Sequence, residues 1–201
     1  MTPAEAAARP RVEGEREQQI LDATLDVLAE VGYDKLTMDA VASAAKASKA
    51  TLYRRWETKA SLVLDAFISQ KGPLVELPDT GSLRGDLIEI HCGHGGIAHE
   101  RQLAVFSAVL TALGRDPEFA ERYRSEFLAP RIERNTEVYV RALRRGELRD
   151  DVDVELVSTA LPGIVLHRQF VLGLPAGPES VIDVIDRLIL PSVLKTTEKE
   201  S

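Results

Sequence analysis

Apolar positions recur every three or four residues along most of the chain, and nowhere do they alternate as in a half-buried strand. Ile20, Ala23, Val27, Leu28 and Val31 make the first stripe, predicting a helix over Arg16 to Val31 that Gly32 closes with a left-handed backbone. Thr37 to Ala44 is a short helix capped by Thr37, with Met38, Val41 and Ala42 facing one way. A break at Lys46-Ala47 separates it from a second short helix, Ser48 to Trp56, which Ser48 caps and which buries Leu52 and Trp56. Lys59 to Gln70 follows, capped by Thr58. Two short helices meeting at a tight break predict a helix-turn-helix, whose second helix enters a major groove.

The punctuation at Gly72-Pro73 and 78–81 divides the chain. Periodicity then predicts helices over Ser82–His91, Gln102–Leu113, from Asp116-Pro117 onward, Leu128–Leu143, Val154–Leu172 and Ser180–Val193, with a kink where Pro130 falls. The expectation is an all-α protein: a flexible arm over 1–15, a three-helix helix-turn-helix domain over 16–71, and a larger helical ligand-binding and dimerisation domain over 72–201. The last two helices are apolar on more than one face, so the second face needs a cover. Another copy of the same pair supplies it, which predicts a homodimer through the last two helices.

A net charge of -7 argues at first against nucleic acid, but its distribution reverses the argument. Residues 1–71 are nearly neutral at -1, while 72–201 carry -6; within 46–59, Lys46, Lys49, Arg54, Arg55 and Lys59 face only Glu57. Positive charge is focused on the second helix of the motif. The single cysteine, Cys92, excludes an internal disulfide and fits the reducing cytoplasm. No secretory core stands at the N-terminus, and no uncharged apolar run approaches ~18 residues, so no membrane partner is expected.

Lys49, Thr51 and Arg54 are candidates for the DNA face, Lys49 for a guanine edge. Arg9 and Arg11 could reach a minor groove from the arm. A merely solvated cationic face is the plainer alternative. No G-x-S-x-G, H-E-x-x-H or glycine-rich nucleotide loop occurs, and Asp150, Asp151 and Asp153 sit where a helix start favours acids, so neither catalysis nor a cofactor is expected. His91, Cys92, His94 and His99 suggest a soft-metal site, but their irregular spacing and the interrupting glycines fit a yielding segment better, and no metal is expected.

The stretch LTMDAVASAAKASKATLYRRWETKASLVLDAF resembles the TetR/AcrR family of transcriptional regulators. Thr37, Val41, Ala42, Ala45, Ser48, Thr51, Leu52, Tyr53, Trp56, Lys59 and Leu62 fall where that family's pattern wants them. FLAPR at 127–131 and RGELRDDVD at 145–153 extend the likeness, more weakly, into the second part. The resemblance implies a homodimeric repressor on a near-palindromic double-stranded DNA operator, released by a small, largely apolar organic effector. Ser48, Lys49, Thr51 and Arg54 would face DNA, Tyr53 would touch a phosphate, and Thr37 and Lys59 would clamp the backbone. The effector site would lie among Phe106, Phe119, Tyr123, Tyr139, His167 and Phe170. Two departures stand out: Lys46 where glycine is commoner in the turn, and the HCGHGG segment. A ligand-binding or scaffold protein without DNA binding, a metal-responsive regulator, and activation instead of repression stay open.

Overall fold

A computed structural model describes residues 3–72, 74, 76–92, 100–175 and 177–195, with side chains from residue 14 onward apart from Glu100. The elements are helices: α1 (Pro3–Lys35), α2 (Met38–Ala44), α3 (Lys49–Arg55), α4 (Lys59–Lys71), α5 (Leu83–Cys92), α6 (Glu100–Arg115), α7 (Pro117–Arg122), α8 (Ala129–Arg144), α9 (Val154–Phe170), α10 (Pro178–Val184) and α11 (Leu190–Val193). Helical backbone starts at Pro3, well before the apolar stripe, because the stripe reports burial and not helicity. Gly32, at φ +76°, interrupts α1 where the pattern predicts its cap. The helix predicted to end at Leu113 continues through Gly114 to Arg115, and Asp116 caps α7 through the Phe119 amide.

Two π-helical turns, Tyr123–Leu128 and Ile185–Ile189, have a common cause. Each precedes a proline in the next first turn, Pro130 and Pro191. Proline has no amide to give, and its ring collides with the carbonyl four residues back. A widened turn relieves both problems and leaves the helix continuous.

The packing forms two compact units. The first comprises Met1–Leu74 and His99–Phe127. Here Leu28, Val41, Leu52, Leu62, Val63, Leu64 and Phe67 are sealed from solvent. Phe67 of α4 collects three rings, from Phe106, Tyr123 and Phe127, at centroid distances of 5.9, 6.1 and 4.9 Å. These aromatics tie α6 and the chain after α7 to α4. The second unit comprises Val75–Ala98 and Leu128–Ser201. Its core gathers Leu83, Leu87, Val138, Tyr139, Leu161, Val184, Ile185 and Ile189. Gly146, at φ +77°, turns the chain after α8, and Leu148 bridges to Leu194.

Candidate nucleic-acid interface

The helix-turn-helix is built by local hydrogen bonds that its sequence dictates. The Thr37 hydroxyl accepts from the Ala40 amide at 3.1 Å, and Ser48 accepts from the Thr51 amide at 3.1 Å. Thr58 does the same for α4. Leu52 and Trp56 are the buried side of α3, and the indole donates to Asp65 at 2.9 Å. Positions 49, 50, 53 and 54 are left exposed, which is one face of the short helix.

The turn itself departs from ordinary backbone at Lys46, whose φ is +50°. Lys46 donates its amide to the Ser43 carbonyl and Ala47 donates to Ala42, a pattern that normally ends in glycine. The Lys46 carbonyl accepts from Arg16 at 2.6 Å, so α1 holds the turn in place. A left-handed backbone costs a side-chain-bearing residue about 1–2 kcal/mol, and glycine's extra unfolded freedom costs about 0.4–1 kcal/mol. Lys46→Gly is therefore expected to stabilise the protein by about 0.5–1 kcal/mol, read as a rise in melting temperature. An unchanged or lower value would mean that the lysine side chain makes compensating contacts.

The five cations expected to present charge are not equally free. Lys49 Nζ lies 2.6 Å from Asp39 Oδ2. That bond, then the carboxylate's charge, holds the Lys49 ammonium above its ordinary pKa. Arg55 pairs with Glu17 at 3.1 Å and so ties α3 to α1. Lys59 donates to the Tyr33 carbonyl at 3.0 Å and sits 4.3 Å from the centre of that ring. Tyr33 in turn donates to Asp116 at 2.5 Å; burial, then this bond, pushes the phenol far above its usual range. Lys59 is thus seated on a fixed platform. Lys46 and Arg54 are exposed and have no ion-pair partner among the described residues. Tyr53, at 51% exposure, stands beside Arg54. Thr51 is half-buried, its hydroxyl 2.8 Å from that of Ser48. The side chains of Arg9 and Arg11 lie outside the described residues.

Sequence reasoning missed Asp39, Arg16 and Tyr33. Asp39 stands in the first turn of α2, ten residues before Lys49, and no local spacing rule pairs residues across the turn.

The six effector candidates divide between the units. Phe106, Phe119 and Tyr123 belong to the first, where Phe119 contacts Tyr33 at 5.3 Å and Tyr123 at 6.2 Å, in a closed aromatic packing. Tyr139 is fully buried in the second unit, and Phe170 is half-buried and His167 exposed on α9. The second unit also buries polar groups: Asn135 donates to the Ser158 carbonyl, and His91 Nε2 lies 3.3 Å from Asn135 Oδ1. Burial lowers the His91 pKa against the pull of that contact, and burial raises the Cys92 thiol. No trio of ligating His, Cys, Asp or Glu gathers among the described residues, and His94 and His99 lie outside them. No helix among them is long and apolar enough to cross a membrane.

Comparison with known proteins agrees with this geometry. Residues 20–66 match the family described as bacterial regulatory proteins, tetR family, and 77–188 match the tetracyclin repressor-like, C-terminal domain. An uncharacterized HTH-type transcriptional regulator of Mycobacterium tuberculosis is 36% identical over 185 residues, 90% of each chain. The DNA-binding transcriptional repressor TetR of Mycobacteroides abscessus is 31% identical over 176 residues, covering 87% of this chain and 92% of its own. Among solved structures, a TetR transcriptional regulator from Agrobacterium tumefaciens shares the fold with a TM-score of 0.64, at 22% identity, over 90% of this chain and 95% of that one.

Proposed function

The chain belongs to the TetR family of bacterial regulatory proteins, which makes it a non-catalytic, ligand-responsive DNA-binding regulator that pairs through its C-terminal helices, and from that premise we propose its finer mechanism. It is a cytoplasmic repressor of a near-palindromic operator, released by a small, largely apolar organic effector. Each protomer lays α3 in one major groove, with Arg54 and Tyr53 on the DNA and Ser48, Lys49 and Thr51 at the entering end. Thr37 at the start of α2 and Lys59 at the start of α4 clamp the flanking phosphates. The repressor assignment follows the curated mycobacterial relative named above. The observation that carries the reading is the exposed face of α3: a guanidinium with no ion-pair partner among the described residues beside an exposed phenol, on a helix whose other side is sealed by Leu52 and Trp56.

The effector belongs in the second unit, where Tyr139, Phe170 and His167 lie with the buried Asn135 and Ser158 on α8 and α9. Phe106, Phe119 and Tyr123 serve by fixing the packing of α6 and α7 against α4. Effector binding shifts the reading heads only to the extent that it prefers one of two states. An organic ligand suits this unit better than a metal, because the irregular spacing of His91, Cys92, His94 and His99 and the glycines between them fit a closed tetrahedral site poorly.

The test is a mobility shift on DNA flanking the protein's own gene. Arg54→Ala is expected to weaken binding about tenfold or more and to reduce the slope against salt by about one. Tyr53→Phe should do so several-fold, by losing one phosphate contact. Both side chains are exposed, so the melting temperature should hold. Wild-type affinity in both variants across a salt series would refute this docking.

A further inference from the structure

We propose that Lys49 and Asp39 act as one reading unit that selects a single G·C pair in each operator half-site, the ammonium donating to guanine and the carboxylate accepting from cytosine N4. This rests on the DNA-binding reading above and deepens it.

The anomaly is Asp39. A carboxylate on the surface of a phosphate-binding motif is repelled by its ligand, yet Asp39 is 57% exposed in the first turn of α2. It spends its charge on Lys49, the first residue of α3, at 2.6 Å. Neither residue has a role in the core, for both are largely exposed, Lys49 at 65%. The pair therefore holds a donor and an acceptor side by side at the end of α3 that enters the groove.

Base-pair edges supply the complement. Read from purine to pyrimidine, the major groove of G·C shows two acceptors, N7 and O6, and then the cytosine N4 donor. O6 and N4 are partners in one Watson–Crick N–H···O bond and so stand about 2.9 Å apart. An ammonium over N7 and O6 with a carboxylate at N4 places every donor on an acceptor at that spacing. On A·T the order is acceptor, donor, acceptor, methyl. The same arrangement would set the ammonium against the adenine N6 donor and the carboxylate against thymine O4. The bond to Asp39 also limits the wandering of a long lysine chain, so the base edge meets a fixed charge.

The experiment selects an operator from randomised DNA and measures affinity for every single-pair change, using full-length wild type, Asp39→Ala, Asp39→Asn and Lys49→Met. Wild type is expected to lose about ten- to a hundredfold when one particular G·C of the half-site becomes A·T. Asp39→Ala and Lys49→Met should both flatten the preference at that same position to within about threefold, leaving the other positions intact. Asp39→Asn, close in shape and still an acceptor for cytosine N4, should keep more of the preference than alanine does. Equal loss on all sequences in Lys49→Met, with a smaller salt slope, would show a phosphate contact and overturn the proposal. Full discrimination in Asp39→Ala, or relaxation at different positions in the two variants, would overturn it as well. If wild type selects no DNA, the DNA-binding reading falls and takes the pair with it. If wild type selects a site that the variants read unchanged, the pair alone falls.

Discussion

Leu188→Asp is expected to convert the dimer into a folded monomer of 22.1 kDa, visible by sedimentation at micromolar concentration. Leu188 is 54% exposed in the π-helical turn between α10 and α11. In the same unit Leu156, Val171 and Leu172 are also more than half exposed. Together they leave apolar surface on the C-terminal helices through which this family pairs. In an isologous contact every residue acts twice. Removing a buried leucine costs about 1.5–3 kcal/mol, and an unpaired carboxylate in its place costs more. Two copies thus weaken pairing by roughly three orders of magnitude or beyond. Operator affinity should fall with it, because two half-sites are no longer bound as one ligand. Ile185→Asp is the contrasting control. Ile185 is fully buried within its own protomer, and its substitution should give unfolded chain instead of monomer. A Leu188→Asp protein that still sediments as a dimer would remove this surface from the interface.

The contrast between those two residues shows what the sequence could carry. Ile185 and Leu188 lie three apart in an apolar helix, and a regular 3.6-residue period puts them on one face. The π-helical turn shifts the phase there, and its trigger, Pro191, lies beyond both. Periodicity therefore identified the interface helices but not which residue faces the partner. Caps were legible because their chemistry is local: Thr37, Ser48, Thr58 and Asp153 each precede a stripe and each accept from the amide three residues on. Charge was legible only as a sum. Five cations near α3 read as one basic face, yet Lys49, Arg55 and Lys59 find partners 10, 38 and 26 residues away. The aromatics were ambiguous for a related reason. A phenylalanine that lines a cavity and one that fills a core have the same spacing, and Phe106 and Phe119 turned out to be packed on other rings. The left-handed Lys46 was the opposite case, since a turn that wants glycine predicts the sign of φ whichever residue stands there.

Asp86→Ala is expected to cost the second unit about 3–5 kcal/mol, a large share of the roughly 5–15 kcal/mol that holds a typical domain. Asp86 is wholly buried, and its carboxylate is fully used. It accepts from the Thr80 amide at 2.7 Å, from the Thr80 hydroxyl at 2.8 Å and from Arg145 at 3.2 Å. Arg145 also pairs with Glu147 at 2.5 Å, while the other Glu147 oxygen accepts from the Leu83 amide at the start of α5. One carboxylate thus fixes the segment before α5 to the end of α8. Alanine would leave the Thr80 amide and one face of a half-buried guanidinium unpaired, which is why removing one partner costs more than the pair contributes. Asp86→Asn keeps an acceptor for Thr80 and leaves Arg145 with Glu147, so it should cost distinctly less. Gly85 tests the same junction from the other side. A Cβ there would meet the Thr80 hydroxyl and lie 2.8 Å from its Cβ, so Gly85→Ala must push Thr80 away from Asp86. Helix propensity alone favours the alanine by about 1 kcal/mol. A denaturant midpoint that falls in Gly85→Ala, in spite of that preference, and falls further in Asp86→Ala would show that Thr80, Asp86 and Arg145 act as one joint. A midpoint that rises in Gly85→Ala would mean that Thr80 can move at no cost and that Asp86 stabilises the unit through Arg145 alone.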